Sequence, residues 1–304
     1  MPILTQTRDP DWDSPELAAL IHKSLEEDIG LGDATSLALV PESSQARALI
    51  LAKQELVCAG LPLAERIFRQ LDPAIRFVVR CSEGALASPG LPLAAIEGQA
   101  RGILSAERIA LNFLCHLCGV ATFTYRFAEA LSGTPAKIRD TRKTTPLWRA
   151  LEKYAVRAGG GSSHRTGLYD AMLIKENHIA LAGSIRAALE RAHSYVLQAP
   201  RTGPENLPLP IQIEVRNEDE LREAVAAGAD AVLLDNPTPA EAGRLVSLAR
   251  RLKPGCLVEV SGGITLENAR AYAHSGADFL AVGALTHSAP AADISLLVES
   301  ILAG

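Results

Sequence analysis

The chain has 304 residues, 48% of them hydrophobic and 21% charged, and a formal net charge of -5. This acidic balance excludes the broad basic surface of a nucleic-acid binder, and 4% aromatic residues leave few side chains on which single-stranded bases could stack. Residues 1–15 lack a signal peptide's cationic start and apolar run, and we find no stretch approaching the roughly 20 apolar residues of a membrane span. Five scattered cysteines, an odd number, fit a reducing cytosol.

The N-terminal part of the chain predicts a small α+β domain. A helix is expected over residues 12–30, with Ser14 as N-cap and Gly30 at its end. Ser105 is expected to cap a long helix that ends near Cys118. Cys115 and Cys118 form a CxxC motif within that helical pattern, and helix packing is favoured over a zinc or redox site because no second pair lies at zinc-site spacing. Short β-rich runs, broken by Gly and Pro, lie at 48–52, 75–79 and 93–96.

From residue 137 onward, short apolar runs alternate with amphipathic helices. Helix starts are marked by possible capping boxes at Asn217/Glu220 and Thr238/Glu241, and two helices end on glycines, Gly228 and Gly276. Residues 195–210, rich in Pro and Gly, predict a surface loop. Strand-helix-strand repetition predicts parallel strands with right-handed crossovers. The predicted strands are 138–141, 171–175, 211–215, 231–235, 257–260 and 279–283.

An open doubly wound sheet and an α/β barrel both fit this alternation, but the polar residues favour the barrel. They stand at or just past the carboxyl ends of the predicted strands, which in a barrel form the active-site rim. Lys, Glu and Asp are costly to bury there unless they are paired or bind a ligand. These residues are Arg142, Lys143, Lys175, Glu214, Asp235, Ser261, Gly262, Gly263 and Gly283.

Positive charge is concentrated between residues 137 and 165, where eight Lys and Arg stand against Asp140 and Glu152. In an acidic chain such a cluster predicts a focused pocket for a small, multiply charged anion. Arg suits bidentate contact with carboxylate or phosphate, and Lys suits point-charge contact. The residues expected in the pocket are Arg142, Lys143, Arg165 and Lys175. Those at helical spacing, Arg149, Lys153 and Arg157, instead fit a solvated helix face with surface ion pairs.

The remaining polar residues leave several functions open. Glu214 and Asp235 end neighbouring strands, where they can bind ribose hydroxyls, hold magnesium, act as acid and base, or pair with the cations. The loops at 261–263 and 282–284 follow the last two strands, where barrels commonly bind phosphate through backbone N–H groups. His164 is expected to contact a ligand and His178 to be structural. The run 159–161 fits either a mobile loop or a helix stop.

The chain closely resembles the quinolinate phosphoribosyltransferase family over nearly its whole length. Together the matching motifs are specific, although no single one is. In the N-terminal part they are Glu27-Asp-Ile-Gly-Leu-Gly-Asp-Ala-Thr35 and Ser105-Ala-Glu-Arg108. In the central part they are Asp140-Thr-Arg-Lys-Thr-Thr-Pro146, Lys153-Tyr-Ala-Val156, Gly159-Gly-Gly-Ser-Ser-His-Arg165 and Leu173-Ile-Lys-Glu-Asn-His178. The last are Leu233-Leu-Asp-Asn236, Ser261-Gly-Gly-Ile264 and Val282-Gly-Ala-Leu285.

The resemblance implies an incomplete, seven-stranded α/β barrel preceded by a smaller α+β sandwich domain. Its expected domains are 1–120, with a helix that reaches a partner subunit, then the catalytic barrel at 121–290, and a C-terminal helix at 291–304 packing back on the N-terminal domain. One departure from the family pattern stands out: Leu147-Trp148 occupies the place where the family usually has Gly and an apolar residue, so the backbone there lacks glycine's freedom.

The same resemblance implies a pentosyltransferase that makes nicotinate mononucleotide for NAD biosynthesis. It would transfer phosphoribosyl from phosphoribosyl pyrophosphate to quinolinate with decarboxylation, with Mg2+ bound mainly through the former substrate, in a cytoplasmic homodimer with shared sites. Lys143, Lys175, Glu214 and Asp235 would be catalytic. Quinolinate would contact Arg108, Thr141, Arg142, Lys143, His164, Arg165 and Lys175, the ribose would face Glu214 and Asp235, and the 5-phosphate would lie on Ser261, Gly262, Gly263, Val282, Gly283 and Ala284.

Three alternatives share the pattern. A molybdenum-operon relative or a nicotinate phosphoribosyltransferase would use the same barrel, but nicotinate has one carboxylate and would need fewer cations. A non-catalytic anion-binding protein would gain nothing from Glu214 and Asp235 in the same mouth.

Overall fold

The protein is described by a computed structural model, which covers residues 9–198 and 208–302. Within these residues the chain forms two compact units. The first comprises residues 9–125, 150–160 and 289–302, and the second comprises residues 126–149 and 161–288.

The first unit begins with the helix expected from the sequence. The Ser14 Oγ accepts a hydrogen bond from the Leu17 amide at 3.3 Å, and Gly30 ends the helix with φ of 52°. Its elements up to the long helix are α1 (Pro15–Ile29), α2 (Ala34–Leu39), β1 (Gln45–Ala52), β2 (Leu56–Val57), α3 (Leu61–Leu71), β3 (Arg76–Val79), β4 (Leu86–Ala87), β5 (Pro92–Gln99) and α4 (Ala100–Ala130).

The predicted bounds of the long helix are wrong. Helix α4 starts directly after β5 and runs to Ala130, because the side chain of Gln99, and not that of Ser105, accepts from a first-turn amide, that of Gly102, at 2.7 Å. Ser105 lies inside the helix, where its hydroxyl donates to Asp33 at 3.1 Å. The expected domain boundary at 120/121 therefore falls within α4.

Helix α4 is, by length and composition alone, able to cross a membrane, which the sequence analysis did not foresee. However, 61% of its most apolar 18-residue window is buried inside the protein, as in the core helix of a globular domain. The CxxC motif lies on this helix. The buried Cys118 thiol contacts the backbone of Ala59, donating to its oxygen at 3.4 Å, and so takes part in packing.

An antiparallel sheet forms the body of the first unit, with strand order β12-β1-β5-β3. Strand β12 (Ile294–Leu302) pairs with β1 from Ala52↔Ile294 to Gln45↔Leu302. The C-terminal helix predicted over 291–304 is therefore wrong at residues 294–302, and residues 303–304 lie outside the described part of the chain. Hydrogen bonding to β1 decides the conformation of this segment over the local helix preference of its Leu and Glu residues.

The second unit is the incomplete α/β barrel expected from the sequence. Its parallel sheet has the order β6-β11-β10-β9-β8-β7, and Ser162 forms a parallel bridge to Arg139 on β6, which supplies a seventh position. In chain order the elements are β6 (Lys137–Arg139), α5 (Arg149–Ala158, mostly in the first unit), β7 (Met172–Ile174), α6 (Glu176–Ala182), α7 (Ile185–Gln198), β8 (Ile211–Val215), α8 (Glu218–Ala226), β9 (Ala231–Asp235), α9 (Pro239–Leu252), β10 (Leu257–Ser261), α10 (Leu266–Ala273), β11 (Phe279–Ala281) and α11 (Ala284–His287).

Local sequence signals explain most of these boundaries. Gly228 and Gly276 have φ of 93° and 83°, which allows a sharp turn from helix into strand. The Thr238/Glu241 capping box is present. Asn217 caps α8 by accepting from the Glu220 amide at 2.9 Å, but the Glu220 carboxylate accepts from the Arg216 amide, so only half of the predicted box forms. Helix α5 stops at Ala158 with Gly160 at φ of 84°.

The loop predicted at 195–210 is only partly visible. Helix α7 continues through Gln198, so the first four of these residues are helical, and positions 199–207 lie outside the described residues.

Candidate active site

The carboxyl ends of the barrel strands enclose a cavity of about 650 Å³. All the candidate residues proposed within the barrel line it, whereas Arg108 lies on α4 in the other unit. The lining residues anticipated from the sequence are Thr141, Arg142, Lys143, His164, Arg165, Lys175, Glu214, Asp235, Ser261, Gly262, Gly263, Val282, Gly283 and Ala284.

Four cations line this cavity, and we call them the cationic wall: Arg142, Lys143, Arg165 and Lys175. Arg142 and Lys143 follow β6, and Lys175 follows β7. The loop that carries Lys143 is held in place, because the Thr286 hydroxyl donates to the Lys143 carbonyl at 2.7 Å. The Nε of Arg142 is buried without a hydrogen-bond partner among the described residues. A buried donor without a partner is costly, so the wall is suited to an acceptor from a ligand.

Arg165 is the most deeply placed member of the cationic wall, with 8% of its surface exposed. Its Nη1 donates to the carbonyl of Ala171 at 3.1 Å. Burial lowers the pKa of the Arg165 guanidinium, and the neighbouring charge of Arg142 lowers it further. A bound anion would offset both effects by stabilising the charged guanidinium, in the direction in which the nearby charge of Asp170 already acts.

The cations at helical spacing have other surroundings. Arg149 donates to Thr144 at 2.9 Å and to the carbonyl of Thr166 at 3.0 Å, and Arg157 pairs with Asp9 at 3.0 Å. Lys153 is only 1% exposed, so the prediction of a solvated helix face is wrong for this residue. Helical spacing shows which residues share a face but not whether that face is covered.

Two carboxylates, Glu214 on β8 and Asp235 on β9, line the cavity together with the wall. Burial raises the pKa of the Glu214 carboxyl, and the charge of Asp235 raises it further. The Lys175 Nζ, 3.7 Å from a Glu214 oxygen, opposes this shift. Asn236, which the sequence analysis did not single out, donates from Nδ2 to Asp235 at 3.0 Å. The carboxylates of Glu214 and Asp235 are therefore close enough for their charges to interact, which favours a cationic partner for the two.

The glycine loop at 261–263 depends on glycine at two positions. Gly262 has φ of 100° and Gly263 has φ of 60°, which side-chain-bearing residues rarely adopt. A Cβ at Gly262 would overlap the Asn236 side chain, whereas a Cβ at Gly263 would meet nothing within 4 Å. Gly262 is therefore fixed by packing, and Gly263 only by its backbone conformation.

His164 lines the cavity, but its ring bonds to the protein. Nδ1 accepts from the Arg165 amide at 2.7 Å, and Nε2 lies 3.1 Å from the Gln212 Oε1. His178 has the structural position expected for it, since its Nδ1 accepts from the Lys175 amide at 3.0 Å at the start of α6. Two other lining residues with titratable side chains, Glu259 and His287, escaped the sequence analysis.

Leu147 has φ of 68° and is 87% exposed. The chain thus adopts the left-handed conformation that a glycine would favour, with a leucine in its place. The residue at this position therefore departs from the family pattern, but the backbone still makes the turn.

The carboxylates of the cavity are also candidate ligands for a divalent cation. Among the described residues, no group of three or more His, Cys, Asp or Glu side chains is arranged to hold a metal ion. Glu214 and Asp235 are hard oxygen ligands of the type that Mg2+ prefers, and this ion is usually bound through one or two carboxylates together with substrate phosphates. The site therefore fits Mg2+ as part of a phosphate complex.

Comparison with known proteins decides the family. Residues 33–118 match the family model for the quinolinate phosphoribosyl transferase N-terminal domain, and residues 120–297 match that for its C-terminal domain. The chain belongs to the quinolinate phosphoribosyltransferase family. It is 40% identical over 281 residues to the probable nicotinate-nucleotide pyrophosphorylase [carboxylating] of Bacillus subtilis, covering 92% of this chain and 93% of that protein. It is 41% identical over 280 residues to the Mycobacterium leprae enzyme of that name, covering 91% and 95%.

Solved structures of the quinolinate phosphoribosyltransferase family have the same fold. NadC from Streptococcus pyogenes superposes with a TM-score of 0.87 at 34% identity, covering 95% of this chain and 98% of that one. The nicotinate-nucleotide pyrophosphorylase from Francisella tularensis superposes with a TM-score of 0.86 at 36% identity, covering 97% and 100%. Human nicotinic acid phosphoribosyltransferase, at 14% identity and a TM-score of 0.62, shares the fold alone.

Proposed function

We propose that the barrel cavity is the active site in which this quinolinate phosphoribosyltransferase forms nicotinate mononucleotide. The phosphoribosyl group of phosphoribosyl pyrophosphate is transferred to quinolinate, with release of pyrophosphate and CO2. The observation that carries the assignment is the presence in one cavity of a cationic wall, a carboxylate pair and a glycine loop. These three features match a planar dianion, a ribose that develops positive charge, and a phosphate.

Quinolinate would bind at the cationic wall. Its two carboxylates are neighbours on one ring, and Arg142 and Arg165 offer planar guanidinium groups suited to such a pair. The unpartnered Nε of Arg142 supports this placement. Lys143 and Lys175 would add charge where quinolinate and pyrophosphate meet.

The ribose would face Glu214 and Asp235. As pyrophosphate leaves C1, the ribose becomes oxocarbenium-like, and preorganised negative charge stabilises it. The pyridine nitrogen then forms the new bond to C1. The resulting pyridinium withdraws electrons from the adjacent carboxylate, which leaves as CO2, and the ring carbon takes a proton. The electrons stay in the ring, so the step needs no organic cofactor.

Magnesium would be held by the oxygens of phosphoribosyl pyrophosphate, with Glu214 and Asp235 within reach as protein ligands. When bound, it would neutralise charge on the departing pyrophosphate. The glycine loop at 261–263 and the segment 282–284 would receive the 5-phosphate through backbone N–H groups.

Substrate choice tests the dicarboxylate site. Quinolinate should bind much more tightly than nicotinate in calorimetry, because only quinolinate has a second carboxylate for the wall. The difference in affinity between the two acids should be smaller in Arg142→Ala and Arg165→Ala. Arg222→Ala, on the exposed face of α8, is the matched control and should keep the wild-type difference. Equal affinity of the wild type for both acids would contradict the assignment.

Separate roles for the wall and the carboxylates can be tested in the same assay. Lys143→Ala and Lys175→Ala should weaken quinolinate binding and turnover together. Asp235→Asn should spare quinolinate binding and lower turnover about a hundred- to thousand-fold, the usual cost of one preorganised electrostatic contact. Turnover of Asp235→Asn at the wild-type rate would remove Asp235 from the mechanism.

A homodimer with shared sites, in the cytoplasm, completes the proposal. It rests on the family resemblance, in which the arginine at the position of Arg108 reaches the partner's site. An Arg108→Ala chain and a Lys143→Ala chain, mixed and allowed to exchange subunits, should regain activity toward half of wild type per heterodimer. Heterodimers that are detected by mass spectrometry and stay inactive would show that Arg108 does not act across an interface.

A further inference from the structure

A layer of buried polar side chains lies on the barrel strands themselves. Arg139 on β6, Gln212 on β8 and Glu259 on β10 are 2%, 6% and 1% exposed. Alternate strands of an α/β barrel contribute side chains to the same interior layer. Burying these groups is costly unless each has a partner, so the hydrogen bonds within the layer indicate what it does.

Glu259 is the centre of this layer. One carboxylate oxygen, Oε2, accepts from the Arg139 Nη1 at 2.8 Å and from the Gln212 Nε2 at 3.1 Å. The guanidinium of Arg139 also lies 3.6 Å from the centre of the Phe279 ring. The other oxygen, Oε1, is buried without a hydrogen-bond partner among the described residues and lies 3.6 Å from the His164 Nε2.

These contacts determine the orientation of Gln212. An ionised carboxylate only accepts hydrogen bonds, so the Gln212 amide must turn its NH2 toward Glu259. Its Oε1 then faces His164 Nε2 at 3.1 Å and can only accept. His164 must therefore carry its proton on Nε2, so Nδ1 is unprotonated and accepts from the Arg165 amide at 2.7 Å. The two ends of the ring thus require the same tautomer.

We infer that Glu259 is a positioning residue for this reaction, which selects the Nε2–H tautomer of His164 and through it holds the backbone of Arg165. The inference rests on the proposed function in one respect, namely that Arg165 binds the dicarboxylate. Two other contacts fix the same segment: the His164 amide donates to Asp140 at 2.7 Å, and the Arg165 guanidinium donates to Ala171. Without this tautomer, the Arg165 amide would lose its acceptor, while these two contacts would remain.

Nitrogen-15 NMR of histidine-labelled, substrate-free protein tests the tautomer directly. The His164 signals are assigned by their absence from His164→Gln. In the wild type, Nε2 should be protonated and Nδ1 unprotonated. In Glu259→Gln, the new side chain can donate as well as accept, so it no longer forces Gln212 to face it with its NH2. A reversed Gln212 turns its NH2 toward His164 Nε2, so the population should shift toward the Nδ1–H form. Glu259→Asp, which keeps the carboxylate, should retain the wild-type signals.

Steady-state kinetics provides the second readout. Glu259→Gln should raise KM for quinolinate about ten- to a hundredfold, with a much smaller change in KM for phosphoribosyl pyrophosphate. Removing the partner that orients a histidine has an effect of this size in metal sites. Glu259→Asp should recover most of this loss. Glu218→Gln, an exposed substitution on α8, is the matched control and should behave as wild type.

The outcomes separate this inference from the proposed function. A wild type that does not use quinolinate would overturn the function and leave the NMR result interpretable. A Glu259→Gln protein with the wild-type tautomer and wild-type KM would overturn the inference alone. If that variant does not fold, Arg139→Met combined with Glu259→Gln removes both buried charges, and the same tautomer shift is expected of it.

Discussion

Replacing Gly262 by Ala tests the packing of the glycine loop. The added Cβ would lie 3.1 Å from the Asn236 Cα and would overlap the Asn236 side chain, at a backbone φ of 100°. A positive φ costs a side-chain-bearing residue about 1–2 kcal/mol, and overpacking costs about 1–3 kcal/mol. The lower chain entropy of the unfolded alanine variant returns about 0.4–1 kcal/mol. The net loss of unfolding free energy should therefore be about 3 kcal/mol.

Gly263→Ala is the matched control, because it has a positive φ of 60° and open space around its Cβ. Its net loss should be about 1 kcal/mol, from the backbone term alone. The difference of about 2 kcal/mol measures the overlap with Asn236. Asn236→Gly removes the overlapping atoms, so adding Gly262→Ala to it should cost little more than Gly263→Ala does.

Urea titration followed by circular dichroism measures these differences, and kinetics measures their effect on the site. Because a displacement of about 1 Å can cost a hundredfold in rate, Gly262→Ala should strongly raise KM for phosphoribosyl pyrophosphate. Quinolinate binding should change little. If Gly262→Ala unfolds at the same urea concentration as Gly263→Ala, the reasoning from the overlap is refuted.

Two further substitutions test a partly buried charge and a strained backbone conformation elsewhere in the barrel. Burial and Asp235 raise the pKa of the Glu214 carboxyl, so its ionisation opposes folding; Glu214→Gln should stabilise the protein at pH 7–8, as measured by urea titration, while lowering turnover. The gain should fade as the pH falls through the folded pKa and vanish below about 4, where glutamate is mostly protonated in both folded and unfolded states. A gain independent of pH would contradict this cause. Leu147→Gly should raise the unfolding free energy by up to about 1 kcal/mol, because it relieves a positive φ at an exposed site. Leu147→Ala keeps that strain and should show no gain.

The sequence predicted the barrel mouth well because two local signals coincide there. Each apolar run that ends in a polar residue, such as 231–235 with Asp235, marks both a strand and its rim. In parallel strands all these ends meet on one side, so local pattern is enough to assemble the site. No knowledge of distant contacts is needed.

The errors lie where distant contacts decide. The segment 294–302 becomes a strand because β1 pairs with it, which no local pattern reveals. Lys153 is buried by neighbours that helical spacing does not predict. Glu259 lies in the strand Leu257–Ser261, where polar residues alternate with apolar ones, as in a strand with one face in solvent. Only the presence of a charge among buried apolar neighbours could have identified Glu259 as a functional residue.

The pairing of β12 with β1 has a consequence for synthesis of the protein. Residues 45–52 leave the ribosome early, yet their partners are residues 294–302. About 250 residues are made in between, which takes roughly 10–50 s. During that time β1 exposes an edge whose backbone groups can pair with another nascent chain. We therefore expect the N-terminal sheet to be the last part of the protein to close, and chaperone dependence or aggregation to be concentrated at that edge.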